Sequence, residues 1–148
     1  MNVLVMFDSN YGNTKKIAEE IASEFGGNAR AVALSKFHAS DLEKISLLIV
    51  GSPINGWKPT ERMGKFLESL QPGQLDGIQA ASFDTRIDIF FHGDAMKKIS
   101  QKLEGAGAEI ISPPLSFMVS GMEGPLRDGE LEKARDWAKT LKEHFKNI

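Results

Sequence analysis

Short apolar runs alternate along the chain with segments whose apolar residues recur at helical spacing. Residues 3–7 form an unbroken apolar run and residues 46–51 repeat it, as expected of parallel strands buried on both faces. The segment after the first run has apolar residues on one helical face: Ile17, Ala18, Ile21, Ala22 and Phe25. Gly26-Gly27 then predicts the end of this helix. The pattern therefore predicts buried strands joined by an amphipathic helix.

The rest of the chain continues this alternation. The remaining predicted strands are short apolar segments: residues 29–34, 78–83, 109–111 and 115–119. Pro113-Pro114 separates the last two. Because a proline cannot donate to a sheet ladder, we expect the last strand to be interrupted there or to lie at an edge of the sheet. Further helices are predicted from Thr60 as N-cap, from near residues 93–94 and after residues 128–129. The fold class is therefore α/β: a doubly wound, five-stranded parallel sheet of order 2-1-3-4-5 in three α/β/α layers.

Three loops lie where such a sheet binds ligands. Ligands of doubly wound sheets bind outside the carboxyl ends of the strands, at the point where the strand order reverses. The loops at that edge are residues 8–14, 52–59 and 84–93. We therefore expect any binding site to be built from these three segments.

The first loop has the chemistry of a phosphate site. It precedes a helix, whose N-terminus presents unpaired backbone N–H groups and the positive end of the helix dipole. Gly12 lets the backbone curl close to an anion, and four side chains add donors: Ser9, Asn10, Asn13 and Thr14. The alternative is an ordinary polar turn with a helix cap. The sequence has neither the nucleotide P-loop motif nor the Gly-x-Gly-x-x-Gly dinucleotide turn.

This loop resembles the phosphate loop of flavodoxins, where a Ser/Thr-rich turn ending in Gly-Asn-Thr wraps the phosphate of FMN. Residues 9–14 match that loop position by position, with Tyr11 where many flavodoxins have threonine. The second loop, Gly51-Ser52-Pro53-Ile54-Asn55-Gly56-Trp57-Lys58-Pro59-Thr60, is similar to the Gly-Ser-Pro-Thr-Tyr-Gly-Gly-Lys-Pro-Thr pattern of many flavodoxin-domain proteins. The resemblance extends over almost the whole chain and implies the same fold with FMN as the cofactor.

The resemblance implies an FMN site made from all three loops. It assigns the phosphate to the first loop: Ser9, Asn10, Tyr11, Gly12, Asn13 and Thr14. It assigns the flavin ring to the other two: Pro53, Ile54, Asn55, Gly56, Trp57, Asp84, Thr85, Arg86, Phe91 and Gly93. Thr85 is expected at the pyrimidine edge of the ring, and Phe91 or its neighbour Phe90 on the second ring face.

Trp57 is the expected aromatic cover of the ring. Asn55 stands where flavodoxins often have a stacking aromatic residue, and Trp57 follows it two residues later. The alternatives for Trp57 are a surface tryptophan that contacts a partner protein and a side chain that folds back to fill its own loop. Trp137, by contrast, lies beside the apolar stripe of the last helix and is expected to pack in the core. A peptide at Gly56 is expected to turn its carbonyl toward flavin N5, unless Gly56 is a simple turn residue.

Arg86 and Asp84 are unusual for this resemblance, because flavodoxins are commonly very acidic around the flavin. One interpretation places Arg86 beside the ring, where a cation raises the potential of the second reduction step. The other pairs Arg86 with Asp84 or Asp88, so that it only braces the loop.

Composition narrows the function without naming it. A chain of 148 residues with no internal repeat predicts one domain, residues 1–148. The net charge of −2 gives no electrostatic case for nucleic acid or an anionic membrane, and the lack of cysteine removes disulfides, thiolate catalysis and iron–sulfur ligation. The three histidines have no metal-site spacing, and no nucleophile–base pair is identifiable. We expect a cytoplasmic monomer without a signal peptide or membrane span.

Three functional hypotheses remain at this stage. The first is an FMN-binding electron carrier that passes one or two electrons between redox partner proteins through transient contacts. The second is an FMN-dependent reductase of a quinone or similar acceptor on the same fold. The third is a flavin-free module that retains only the phosphate loop. The absence of a nicotinamide-binding motif favours the carrier over the reductase.

Overall fold

The computed structural model describes residues 2–55, 58–87 and 95–146. Its strands are β1 (Val3–Phe7), β2 (Ala29–Ala33), β3 (Leu47–Asn55), β4 (Lys58–Pro59), β5 (Gln79–Ile87), β6 (Glu109–Ile110) and β7 (Leu115–Val119). Its α-helices are α1 (Asn13–Phe25), α2 (Glu61–Ser69), α3 (Ala95–Gly105) and α4 (Glu130–Lys146). Two short 3-10 turns, Leu34–Lys36 and Ala39–Leu42, connect β2 to β3.

The strands form the parallel sheet that the alternation predicts. Their order is β2-β1-β3-β5, and both β6 and β7 run parallel to β5 along its outer side. Since β6 and β7 are the two halves of one strand interrupted before Leu115, the sheet has the predicted order 2-1-3-4-5. The short β4 only adds an antiparallel pair to the end of β3. The flavodoxin-like fold and the proline break in the last strand are therefore confirmed.

Alternate residues of each strand build two separate cores. The core on one face joins the sheet to α1 and α4, and includes Val5, Ile21 and Leu141. The core on the other face joins the sheet to α2 and α3, and includes Met6 and Leu103. Because both faces are covered, the β1 run is apolar throughout instead of alternating.

Trp137 packs in the first core, as predicted from its place in the last helix. Its ring meets Phe83 and Phe117 edge-to-face at centroid distances of 6.1 Å and 6.2 Å. Its Nε1 donates to the hydroxyl of Ser112 at 3.2 Å. The polar end of this buried ring is therefore satisfied.

Gly51 lets the Phe83 ring approach the centre of the sheet. A Cβ atom at Gly51 would lie 2.0 Å from the Phe83 ring. We expect Gly51→Ala to destabilise the fold by about 1–3 kcal/mol, since overpacking forces a buried ring out of place. Urea unfolding of both proteins measures this. Gly64→Ala is the matched control, because Gly64 lies within α2 with open space around it and alanine favours a helix.

Two strands extend further than the sequence indicates. We predicted loops from residue 52 and from residue 84, but β3 continues to Asn55 and β5 continues to Ile87. The two extensions pair with each other, in the register Ser52↔Asp84 and Pro53↔Thr85. A proline is tolerated at position 53 because β1 ends opposite Gly51, so that β3 has a partner on one side only. The predicted bounds of these two loops were therefore wrong.

Candidate functional site

The first loop presents free backbone donors at the start of α1. Gly12 adopts φ +89° and leads into the helix, and no side chain caps it. The first helical N–H to find an acceptor is that of Lys16, which donates to the Gly12 carbonyl at 3.1 Å. In the described part of the chain, the N–H groups of Asn13, Thr14 and Lys15 therefore meet no acceptor. They stand at the positive end of the helix dipole, where an anion is stabilised.

The hydroxyl groups of this loop also retain donor capacity. The Ser9 hydroxyl accepts the N–H of Gly12 at 3.0 Å, so its own hydrogen stays available. The Thr14 and Thr85 hydroxyls lie 2.8 Å apart, and both residues are buried. Since one of these hydroxyls must donate to the other, the second keeps its hydrogen for a third group. The Thr85 side chain thus lies against the first loop, and its expected contact with the pyrimidine edge stays a prediction.

Asp8 ties the first loop to the start of α2. Its buried carboxylate accepts three hydrogen bonds: from the Ser9 N–H at 3.0 Å, from the Thr60 hydroxyl and from Arg62 Nε at 2.9 Å. The Thr60 hydroxyl accepts the Met63 N–H at 3.1 Å, which confirms the predicted N-cap. The Asp8 carboxylate raises the pKa of the Arg62 guanidinium.

Asn10 joins the same network through its side-chain oxygen, which accepts from Arg62 Nη2 at 2.9 Å. Its amide NH2 has no partner among the described residues. Tyr11, the next residue, is half exposed. Arg62 thus anchors the first loop through Asp8 and Asn10. The N–H donors at the start of α1 take no part in these contacts.

The second loop is a hairpin at the end of β3. Asn55 pairs with Lys58 and Ile54 with Pro59. The Ser52 hydroxyl accepts the Thr60 N–H at 3.2 Å, which joins this hairpin to the Asp8 network. Gly56, Trp57 and the Asn55 side chain lie outside the described residues, so the contacts expected of them stay predictions.

Asp84 and Arg86 form a buried ion pair at the end of β5. Arg86 Nε and Nη2 donate to the two carboxylate oxygens of Asp84, each at 2.8 Å, and the side chains are 6% and 1% exposed. Ser116 on β7 donates a third hydrogen bond to Asp84 at 3.1 Å. Pairing of Arg86 with Asp84 is therefore confirmed, whereas the electronic role of Arg86 stays a prediction. The expected third-loop contacts of Phe91 and Gly93 lie outside the described residues.

The Asn13 side chain turns away from the first loop. Its Nδ2 donates to the Glu123 carbonyl at 3.2 Å, across 110 positions of the chain. The sequence predicts that both the side chain and the backbone N–H of Asn13 donate to an anion. In the structure only the backbone N–H is directed to the first loop, because the side-chain amide is bound to Glu123. The segment after β7 thus approaches the site as a fourth loop, which the sequence does not indicate.

Several residues of this edge were not found from the sequence. They are groups that hold the loops rather than line them: Asp8, Arg62, Ser116 and Glu123. Asp8 could have been suspected, because it is a charged residue directly after a buried strand. The partners of the others are distant in the chain, and no local pattern marks them. Among the described residues, no three acidic or histidine side chains form a metal-binding group.

The fold and this edge define a doubly wound α/β protein whose strand-order switch point carries backbone donors without acceptors among the described residues. The sequence profile of the flavodoxin family matches residues 5–137. The chain therefore belongs to the flavodoxin family, which consists of FMN-binding electron-transfer proteins. No curated protein matches the chain.

Solved structures confirm the fold at low sequence identity. A flavodoxin from the domain Archaea is 21% identical, with a TM-score of 0.81 over 99% of each chain. Oxidised flavodoxin 1 from Bacillus cereus is also 21% identical, with a TM-score of 0.81 over 97% of this chain and 99% of that one. The rubredoxin oxygen:oxidoreductase of Desulfovibrio gigas is 19% identical, with a TM-score of 0.79, and matches 99% of this chain with 36% of its own.

The described residues fit the phosphate of FMN. The fitting features are the N–H groups of Asn13, Thr14 and Lys15 and the spare hydroxyl hydrogens beside them. No acidic residue lies in the first turn of α1 to compete with an anion. None of the described helices has the length and apolar character needed to cross a membrane.

Proposed function

We propose that this protein is an electron carrier that shuttles one or two electrons between redox partner proteins through FMN bound at the carboxyl edge of the sheet. The observation that carries the proposal is the uncapped start of α1, where three N–H groups have no acceptor among the described residues and no acid occupies the first turn. Bound FMN supplies the redox chemistry, and the chain supplies binding, orientation and electrostatics.

The first loop holds the phosphate in this proposal. The N–H groups of residues 13–15 and the Ser9 and Thr14 hydroxyls donate to it, while Arg62 keeps Asp8 neutralised nearby. Because the buried carboxylate is paired, it repels a phosphate less than a free one would. The second and third loops, including residues 53–57, 84–86, 91 and 93, contact the ring.

The absorption spectrum of the purified protein tests the proposal. A bound flavin gives a yellow protein, and titration of the apoprotein with FMN should restore the colour. A colourless protein that FMN does not stabilise contradicts FMN binding and supports a flavin-free module. Oxidation of NAD(P)H by a quinone, without an added reductase, would instead indicate a reductase.

Trp57 is expected to report FMN binding through its fluorescence. A flavin stacked on Trp57 should quench most of the emission from this residue, whereas Trp137 is buried against Phe83 and should remain emissive. The measurement is an FMN titration of the wild type and of Trp57→Phe. Trp137→Phe is the control that should keep the quenching. An unchanged quenching amplitude in Trp57→Phe would place Trp57 away from the ring.

Partner proteins dock on an apolar rim around the site in this proposal. The rim consists of the large exposed apolar side chains of the described residues, and all lie at the carboxyl edge: Tyr11, Ile87, Met122 and Leu131. Asp8 and Asp84 are each paired with an arginine, and the exposed charges at this edge have both signs, as in Lys58, Glu123 and Arg127. Docking therefore depends more on apolar contact than on charge.

Electron transfer to this protein is accordingly expected to respond weakly to salt. The rate with an added flavodoxin reductase should change by less than about threefold between low and high salt, since long-range steering is small. Met122→Ser should slow the reaction severalfold, because it removes apolar docking area. Asn28→Ser, at the exposed amino edge before β2, is the control. A steep fall of the rate with salt would contradict the apolar rim.

A further inference from the structure

The segment after β7 is a closed loop with its own hydrogen bonds. The Ser120 N–H donates to the Pro125 carbonyl at 2.8 Å, and the Gly124 N–H donates to the Gly121 carbonyl at 2.9 Å. Val119 and Leu126 pair across its base. Residues 120–126 therefore form one compact unit, which we call the closing loop.

The closing loop has two contacts with the same side chain of the phosphate loop. The Asn13 carboxamide donates to the Glu123 carbonyl at 3.2 Å. It also lies flat against Gly124, where an added Cβ would come within 2.6 Å of Asn13 Oδ1 and 2.7 Å of Nδ2. Gly124 adopts φ +102°, which glycine reaches without strain. Shape and hydrogen bonding thus both fit the Asn13 amide to this position.

The Asn13 side chain has a partner in the closing loop, whereas its backbone N–H is open to an anion. Its N–H is among the unsatisfied donors at the start of α1, and its buried carboxamide is bound to the closing loop. A group that fixes the backbone of Asn13 also restricts its side chain. An anion on the N–H and the closing loop on the amide must therefore influence each other, and the influence is equal in both directions.

We propose that Asn13 is a latch that holds the closing loop against the phosphate loop, so that opening of this latch sets the rate at which FMN leaves. The inference rests on the proposed FMN site at residues 9–14. Asn13 is a positioning residue in this device, because its side chain acts through Glu123 and Gly124. The closing loop then lines the site together with the three predicted loops.

The test compares FMN release from four proteins. Asn13→Ala removes the amide, and Gly124→Ala places a methyl group in the space that the amide fills. Each should speed FMN release by about tenfold, the value of one ordinary hydrogen bond. The double variant should release FMN no faster than the faster single variant, because both changes break one contact.

Gly129→Ala is the matched control for backbone strain. Gly129 follows the closing loop with φ +85°, and an added Cβ there meets nothing within 4 Å. Its release rate should equal that of the wild type. If Gly124→Ala and Gly129→Ala speed FMN release equally, backbone strain explains the effect and the latch is overturned. Additive effects of Asn13→Ala and Gly124→Ala on the release rate would also overturn it.

Hydrogen exchange supplies a readout that a purely structural role would not change. FMN should slow exchange at the Ser120 and Gly124 amides of the wild type and should protect them much less in Asn13→Ala. If Gly124→Ala does not fold, Asn13→Ala decides the question through release and exchange together. Unchanged FMN release and retained protection in Asn13→Ala overturn the latch but leave FMN binding intact. A wild-type protein that binds no FMN overturns the latch and the proposed function together.

Discussion

Arg86→Met is expected to destabilise the fold by about 3–5 kcal/mol, because it leaves the Asp84 carboxylate buried without its counter-ion. Asp84 is 1% exposed and receives both guanidinium donors at 2.8 Å, so water cannot replace them without opening the end of β5. Urea unfolding at neutral pH measures the loss. Replacing both partners, as in Asp84→Leu with Arg86→Met, should recover part of it, since the Asp84 carboxylate is then no longer buried without a counter-ion.

The control for this prediction is an exposed pair of the same kind. Lys65 and Glu61 lie 3.5 Å apart on α2 and are 77% and 84% exposed. Lys65→Met should leave the unfolding midpoint nearly unchanged, because solvent screens such a pair. A loss in Arg86→Met no greater than in Lys65→Met would mean that the buried pair does not hold the third loop.

Thr14→Val is expected to weaken FMN binding by about 1.5–3 kcal/mol, the value of a hydrogen bond to a charged group. Valine keeps the shape of threonine, and Thr14 is buried at the start of α1, so that the change removes mainly a hydroxyl. Riboflavin, which lacks the phosphate, should lose much less affinity. Fluorescence titrations of the apoprotein with both flavins give the two dissociation constants.

Thr85→Val is the matched variant for this measurement. It removes the same Thr14–Thr85 hydrogen bond but leaves the phosphate loop unchanged. It should weaken FMN less than Thr14→Val does, because the Thr14 hydroxyl can then donate wholly to the phosphate. Equal weakening of FMN and riboflavin by Thr14→Val would show that the hydroxyl supports the loop rather than the phosphate.

Much of the site could be predicted because its first loop is local. The free N–H groups, the hydroxyls and the left-handed glycine all belong to seven consecutive residues between β1 and the first turn of α1. Their expected role as donors to an anion follows from the geometry of a helix start, since the first N–H groups of any helix lack acceptors within the helix. The direction of the Asn13 side chain did not follow, because its partner Glu123 lies in another loop.

The ends of β3 and β5 could not be predicted for a related reason. Ser52, Asp84 and Arg86 are polar, and polar residues after an apolar run are typical of a loop. In the structure the two strands pair with each other there, and Arg86 and Ser116 satisfy the buried Asp84. Strand length was thus determined by partners that the sequence does not place side by side.

The sequence by itself determined the elements, their order and the position of the donor-rich first loop, because apolar periodicity, caps and helix starts act within a few residues. The tertiary structure alone decided which charges cancel and which loops are joined. Asp8 with Arg62 and Asn13 with Glu123 are pairs separated by 54 and 110 positions. Such pairs form only after the sheet brings its carboxyl ends together, since side-chain hydrogen bonds reach about 3 Å and carry no signal along the chain.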